Sequence, residues 1–371
     1  MFWTKSGFDH RPHPLTRLIY GSGRLAEVGR LVEELAGTRV LLVTSPSVRR
    51  TGLADRVGGH LGRRLAAEFD DVRPHSPIEV VEAARQAATR AAADVVLSVG
   101  GGSAVDTAKG VVHLVREQTG RRLPHVAIPT TLSGAEFTYA AGITHGPTKR
   151  IYGPDLFCEV VLLDPEAAAV TPCSLFLPSG LNAVAHCVEG IQSVDGSAVA
   201  EAMMLHAIRL LSESLRAVQR DPGDLEARGR AQAGAALASL GIWGVSVGLE
   251  HALAHAVGGK YKAPHATVHA ILIAPVMRFN HPMVVPAQAA IAEALGVSRD
   301  GDDAVVARRG IERITALLID LGIPTGLRAL GVTEDGLADL AEAACHDPCF
   351  ATNPRPVSSR DDVVEVLRSA L

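Results

Sequence analysis

Four short β-rich apolar runs in the first half of this 371-residue chain, with almost no strand signal from Pro172 onward, restrict its fold more than any other feature. Val40–Thr44, Asp94–Val99, His125–Ile128 and Val160–Leu163 are mostly apolar without polar alternation, the pattern of strands buried on both faces. Helical periodicity lies between them: a polar helix to about His60 after the Ser45-Pro46-Ser47 turn, Val81–Ala93, and a helix from the Gly100–Ser103 turn to about Glu117. Strands joined through helices imply a parallel sheet covered on both sides. After Asp164-Pro165 only helices are expected, among them Ala198–Arg220, Leu225–Leu240, Val305–Leu321 and Glu334–Cys345. A Pro-rich stretch, Asn353–Pro356, precedes a last helix at about Arg360–Ser369. The chain is too long for one ordinary core. The expected organisation is therefore an α/β domain with a Rossmann-like parallel sheet over 1–165 and an all-α domain over 166–371.

Composition excludes several functions. The net charge is −4 and no run of like charge marks a nucleic-acid surface. Aromatic residues make up 4% of the chain, too few for base-stacking platforms. Five cysteines, none in CxxC spacing, fit a reducing cytosol; Cys345 and Cys349 are expected to be packing or loop residues. Neither a signal peptide nor an apolar run of membrane-spanning length is read. A cytoplasmic protein with a small-molecule partner, and with no nucleic-acid or membrane partner, is expected.

The Gly100-Gly101-Gly102-Ser103 turn closes a strand and opens a helix at once. Glycines let peptide N–H groups approach an anion closely, and the helix N-terminus adds free donors and partial positive charge. A diphosphate is the expected ligand, although the turn is neither GxGxxG nor GxxxxGK[ST]; a plain tight turn is the competing reading. Asp106 and Lys109 follow on the first helical turns, Lys109 either against phosphate or in solvent. Thr130, Thr131 and Ser133 follow the third strand, at the carboxyl edge where open α/β sheets bind ligands. Ordinary helix capping is the alternative for Ser133.

In the second half, HALAHAVGGKYKAPHATVH sets His251/His255 and His265/His269 in two i,i+4 pairs, and SGLNAVAHCVEG adds Asn182 and His186 at the same spacing. Residues four apart on a helix are neighbours, so the three segments are expected to build one polar pocket. Two chemistries stay open. Asn182, His186, His251 and His265 would suit zinc or ferrous iron; the same groups would serve as hydrogen-bond donors and proton-transfer groups for an anionic substrate. The amide of Asn182 carries no formal charge and would hold a dication less tightly than a carboxylate.

GGGSAVDTAKG, AIPTTLSGAEFT, SGLNAVAHCVEG and HALAHAVGGKYKAPHATVHAILIAP, in this order, resemble the iron-containing alcohol dehydrogenase superfamily and, within it, the maleylacetate reductases. The likeness runs from Leu18–Gly23 to Asn353–Pro356. It implies a two-domain fold like that of dehydroquinate synthase, with NADH or NADPH across the cleft. Gly101, Gly102 and Ser103 would hold the pyrophosphate, and Thr130, Thr131 and Ser133 would line the nicotinamide side. Asp106 and Lys149 are further cofactor candidates. Ser45 stands where NAD-preferring relatives often place an aspartate, which leaves both nucleotides open.

Metal-dependent members use one aspartate and three histidines, matched here by Asn182, His186, His251 and His265. The replaced aspartate resembles the maleylacetate reductases, thought to work without metal; iron or zinc, if bound, would rest on His186, His251 and His265. His255 matches the position near the reacting carbon. Asp106 and Glu250 depart from the reductase pattern, Glu250 standing where a histidine is common. The implied activity is hydride transfer to an enone dicarboxylate, maleylacetate giving 3-oxoadipate, with His255 or His251 donating the proton. Lys149, Arg150, Lys260 and Lys262 are candidates to pair with the two carboxylates. A homodimer is implied by the resemblance alone. The alternatives are a metal-dependent alcohol dehydrogenase or aldehyde reductase, a non-redox lyase or cyclase, and a non-catalytic nucleotide-binding protein.

Overall fold

The computed structural model describes residues 10, 13–15, 17–146 and 148–371. They form two compact units, one from Pro14–Phe176 with Pro222–Ala233, the other centred on Leu177–Asp221 and Gly234–Leu371.

The first unit carries strands β1 (Arg17–Tyr20), β2 (Val40–Thr44), β3 (Leu65–Phe69), β4 (Val95–Gly100), β5 (His125–Pro129), β6 (Ala141–His145), β7 (Thr148–Tyr152) and β8 (Val160–Leu163). Six of them form one sheet in the order β1-β8-β5-β4-β2-β3, every pairing parallel. The expected strands are its four central members. The edges β1 and β3 escape the sequence pattern because they are partly exposed and less apolar, and β6 and β7 form a separate antiparallel hairpin.

Strands β2 and β4 feed two cores, and β5 and β8 join the first of them. Val40, Leu42, Val95, Leu97, Ile128 and Leu162 pack on one face with Val28, Leu31 and Val57. Leu41, Val43 and Val96 pack on the other with Val81, Ala84, Ala108 and Val111. Burial on both faces is why these runs do not alternate. The first unit extends past the expected boundary at 165. Buried Arg228, from the helix Leu225–Ile242, donates to the carbonyls of Ala168 (2.7 Å) and Thr171 (3.1 Å) and lies 4.7 Å from the Phe176 ring. These contacts bind residues 166–176 and 222–233 to the sheet unit.

The second unit is helical, with its core built on Leu249, Leu253, Val257, Val268, Leu272, Leu340 and Leu367. Ala198–Arg220 and Arg360–Ser369 begin where expected, capped by Ser197 and Ser359. The helix His265–Ala294 is long and apolar enough, by length and composition, to cross a membrane, contrary to the sequence reading. Its residues 268–277 are all buried within the unit, and Pro275, Pro282, Pro286 and the non-helical Val284 interrupt it. The apolar surface of residues 268–277 is accounted for by the core.

Candidate active site

In the first unit, β4 runs into the glycine turn at Gly100, whose φ of +151° favours glycine. Gly101 precedes the 18-residue helix Gly102–Thr119 without any side-chain cap, so the first-turn N–H groups are not bound by a cap. A Cβ on Gly101 would lie 3.0 Å from Thr131 Cγ2, and one on Gly102 would lie 3.1 Å from Ser133 Oγ. The turn therefore meets the Thr130–Ser133 loop with no room for side chains between them. Thr130 N–H donates to Gly100 O at 2.9 Å. Thr131 Oγ1 is buried without a hydrogen-bond partner. Uncapped helix donors, a bare glycine surface and an unpartnered hydroxyl fit the pyrophosphate of a dinucleotide.

The other nucleotide candidates divide. Ser103 Oγ accepts from His75 N–H at 3.2 Å, so its hydroxyl braces the 75–76 loop. Ser45 caps the short helix Pro46–Arg49 by accepting from Val48 N–H, and an Asp106 carboxylate oxygen accepts from Gly142 N–H at 3.4 Å. Lys109 lies neither against phosphate nor in solvent. It is wholly buried, and its Nζ donates to Ala135 O (2.7 Å), Thr138 Oγ1 (2.9 Å) and Ala140 O (3.3 Å). It ties down the 135–140 loop, and burial lowers its pKa. The Lys149 side chain lies outside the described residues.

In the second unit the five histidines and Asn182 come from three helices, Cys173–Gln192, Leu249–Tyr261 and His265–Ala294. Ring centroids are 5.2 Å apart for His186–His251, 4.5 Å for His251–His269, 4.2 Å for His265–His269 and 6.0 Å for His255–His265. The cluster is graded: His251 and His269 are buried, His186 is half-buried, and His255 and His265 are exposed.

Two buried carboxylates organise its base. Glu189 bonds His251 Nδ1 and accepts from the N–H groups of Gly248 and Glu250, both at 3.0 Å. Glu250 lies 3.3 Å from the same His251 nitrogen. It also bonds His269 Nδ1 at 2.8 Å, and His269 Nε2 meets His265 Nε2 at 3.0 Å. At the exposed end, His255 Nδ1 bonds Asp347 at 2.8 Å.

The electrostatics follow. Burial alone would lower the pKa of His251, but the charge and hydrogen bond of Glu189, then those of Glu250, push it up to about 10. Burial, with the His251 charge next, pushes His186 down to about 3. Burial raises Glu250. The cluster thus favours the charged form at His251 and the neutral form at His186.

The conditional ligand trio His186, His251 and His265 is not the one whose atoms converge. Among the described residues, Glu250, His251 and His269 bring their ligand atoms within 4.8 Å of one another, because His265 turns its Nε2 to His269 and Glu250 sits between two rings. His255, Asp347 and Cys349 form a second such group. Glu189 was legible in principle: Asn182, His186 and Glu189 fall at i, i+4 and i+7 on one helix face. Asp347 has no sequence signal, lying 92 residues from His255. Of the remaining cationic candidates, Lys260 is paired with Asp339 at 2.8 Å; Arg150 and Lys262 are exposed.

The model of the iron-containing alcohol dehydrogenases matches residues 15–165, and that of the C-terminal region of the Fe-containing alcohol dehydrogenase family matches residues 176–371. The chain belongs to this family. It is 34% identical to a maleylacetate reductase of Burkholderia cepacia, covering 95% of this chain and 94% of that one. It is 33% identical to the maleylacetate reductase of Sphingobium indicum over 98% and 97%. The crystal structure of maleylacetate reductase from Agrobacterium tumefaciens superimposes with a TM-score of 0.87 at 30% identity, covering 99% of both chains.

Proposed function

We propose that the chain is an NAD(P)H-dependent oxidoreductase that reduces maleylacetate to 3-oxoadipate. The observation that carries this reading is the graded histidine cluster, cationic at its buried base and with the imidazoles of His255 and His265 at its exposed end. Full-length similarity to maleylacetate reductases supports it.

Maleylacetate is an enone flanked by two carboxylates. When bound, a reduced nicotinamide supplies the hydride that adds to the alkene carbon β to the ketone. The electron pair of the alkene moves to the ketone oxygen as an enolate, and a proton ends on the α carbon. The His251 imidazolium and the neighbouring rings stabilise that oxyanion; loss of one such donor typically costs about 10²–10³ in rate. His255, held through Nδ1 by Asp347, keeps Nε2 for the proton.

A catalytic dication does not fit the set Asn182, His186, His251 and His265. His251 Nδ1 already meets the carboxylates of Glu189 and Glu250, His265 Nε2 is bonded to His269, and of these four residues only the uncharged Asn182 has a side-chain atom, Oδ1, that is buried without a partner. The positive charge at this site resides on a histidine, and no step runs through a metal. The substrate class is a carboxylate, and the setting is a cytoplasmic homodimer that engages neither nucleic acid nor membrane.

Cofactor deuterated at C4 tests the reaction. Label at the carbon β to the ketone of 3-oxoadipate is expected. Label on a carbinol carbon would mean carbonyl reduction and would overturn the reading.

A further inference from the structure

We propose that His255, Asp347 and Cys349 form a binding site for a zinc-class divalent cation, which shares His255 with the histidine cluster but none of its buried members. A ring nitrogen, a carboxylate oxygen and a sulfur lie within 4.8 Å of one another there. Two elements supply them, the helix Leu249–Tyr261 and the turn Asp347–Cys349. The turn is fixed, because Asp347 accepts from Cys349 N–H at 2.8 Å with one oxygen while the other holds His255 Nδ1 at 2.8 Å. The side chains are therefore already gathered.

The chemistry of the set selects the ion. Mixed nitrogen, oxygen and sulfur donors suit zinc, whereas magnesium and calcium demand oxygen. A carboxylate, a thiolate and a neutral imidazole balance a charge of +2. Three protein ligands leave a fourth position for water, as in open zinc sites. The His255 side chain is 47% exposed, which gives the ion a path from solvent. The Cys349 thiol is pushed up to about 12, by burial first and then by its contacts with Asp347. It is protonated in the free protein, and binding releases that proton to solvent.

Occupancy takes a ring nitrogen of His255. Zinc is therefore a reversible inhibitor, a consequence that rests on the reading of His255 as proton donor.

Cobalt(II) added to the chelator-treated full chain tests the site, since thiolate–cobalt bonds give a near-ultraviolet charge-transfer band and the buried histidine cluster contains no sulfur. The band is expected to appear, to be displaced by zinc, to vanish in Cys349→Ser and to persist in Asn182→Ala. Absence of the band, or its survival in Cys349→Ser, overturns the proposal. His255→Gln keeps the thiol and is expected to bind cobalt at least about tenfold more weakly, no less than the loss of an outer-shell partner; unchanged affinity overturns the site even if Cys349→Ser fails to fold. Zinc is expected to inhibit the wild type and to spare Cys349→Ser. A band that behaves as expected without inhibition keeps the site and removes His255 from the reaction.

Discussion

At the Gly100–Ser103 turn of the first unit, positive potential comes from peptide N–H groups at an uncapped helix start, and the surface is bare of side chains. In the histidine cluster of the second unit, it comes from a side chain, the His251 imidazolium, which two buried carboxylates keep charged. A backbone site carries its potential with the fold. A side-chain site depends on each partner being present and correctly ionised, so single substitutions should hurt it far more.

Glu189→Gln should therefore have the largest effect, because it removes the main counter-charge of a buried imidazolium. A loss on the order of 3 kcal/mol is expected, measured by chemical denaturation near pH 7. The pH dependence sharpens this. The folded pKa of His251, about 10, lies above its ordinary 6.5. The stabilisation is thus complete below about pH 6.5 and is lost as pH rises through about 10. The stability gap between wild type and Glu189→Gln should narrow steadily from pH 7 to 10; a constant gap would show that His251 is not the charged partner.

His255→Gln should lower the single-turnover hydride-transfer rate by about 10²-fold with little change in Tm, since the ring is exposed. An unchanged rate would remove it from the chemistry. At the glycine turn, Gly101→Ala pushes a methyl against Thr131 and should weaken nucleotide binding by about 1–2 kcal/mol, within the usual cost of overpacking. Ser103→Ala should cost less, because that hydroxyl braces the His75 loop. Titration of the cofactor into both variants gives the ranking, and the reverse order would break the contrast between backbone and side-chain sites.

The same contrast governs what could be read before the structure. β2, β4, β5 and β8 were legible because burial on both faces leaves a continuous apolar run, while β1 and β3 were hidden by their exposed edges. The glycine turn and the histidines announce themselves through local spacing. Their partners do not: Glu250 was noticed only as a departure from the reductase pattern, and Asp347 reaches His255 through tertiary packing. Lys109 shows the opposite failure, a lysine beside a phosphate-type turn whose charge is spent on backbone carbonyls. Cys349, read as a packing or loop residue, shares a fixed turn with Asp347.

Oxidation of NADH and of NADPH by chelator-treated enzyme, with maleylacetate set beside a panel of aldehydes and ketones, tests the assigned reaction most directly. Continuous, metal-independent turnover with maleylacetate is the expected result. Turnover confined to aldehydes or ketones and restored only by added metal would contradict it.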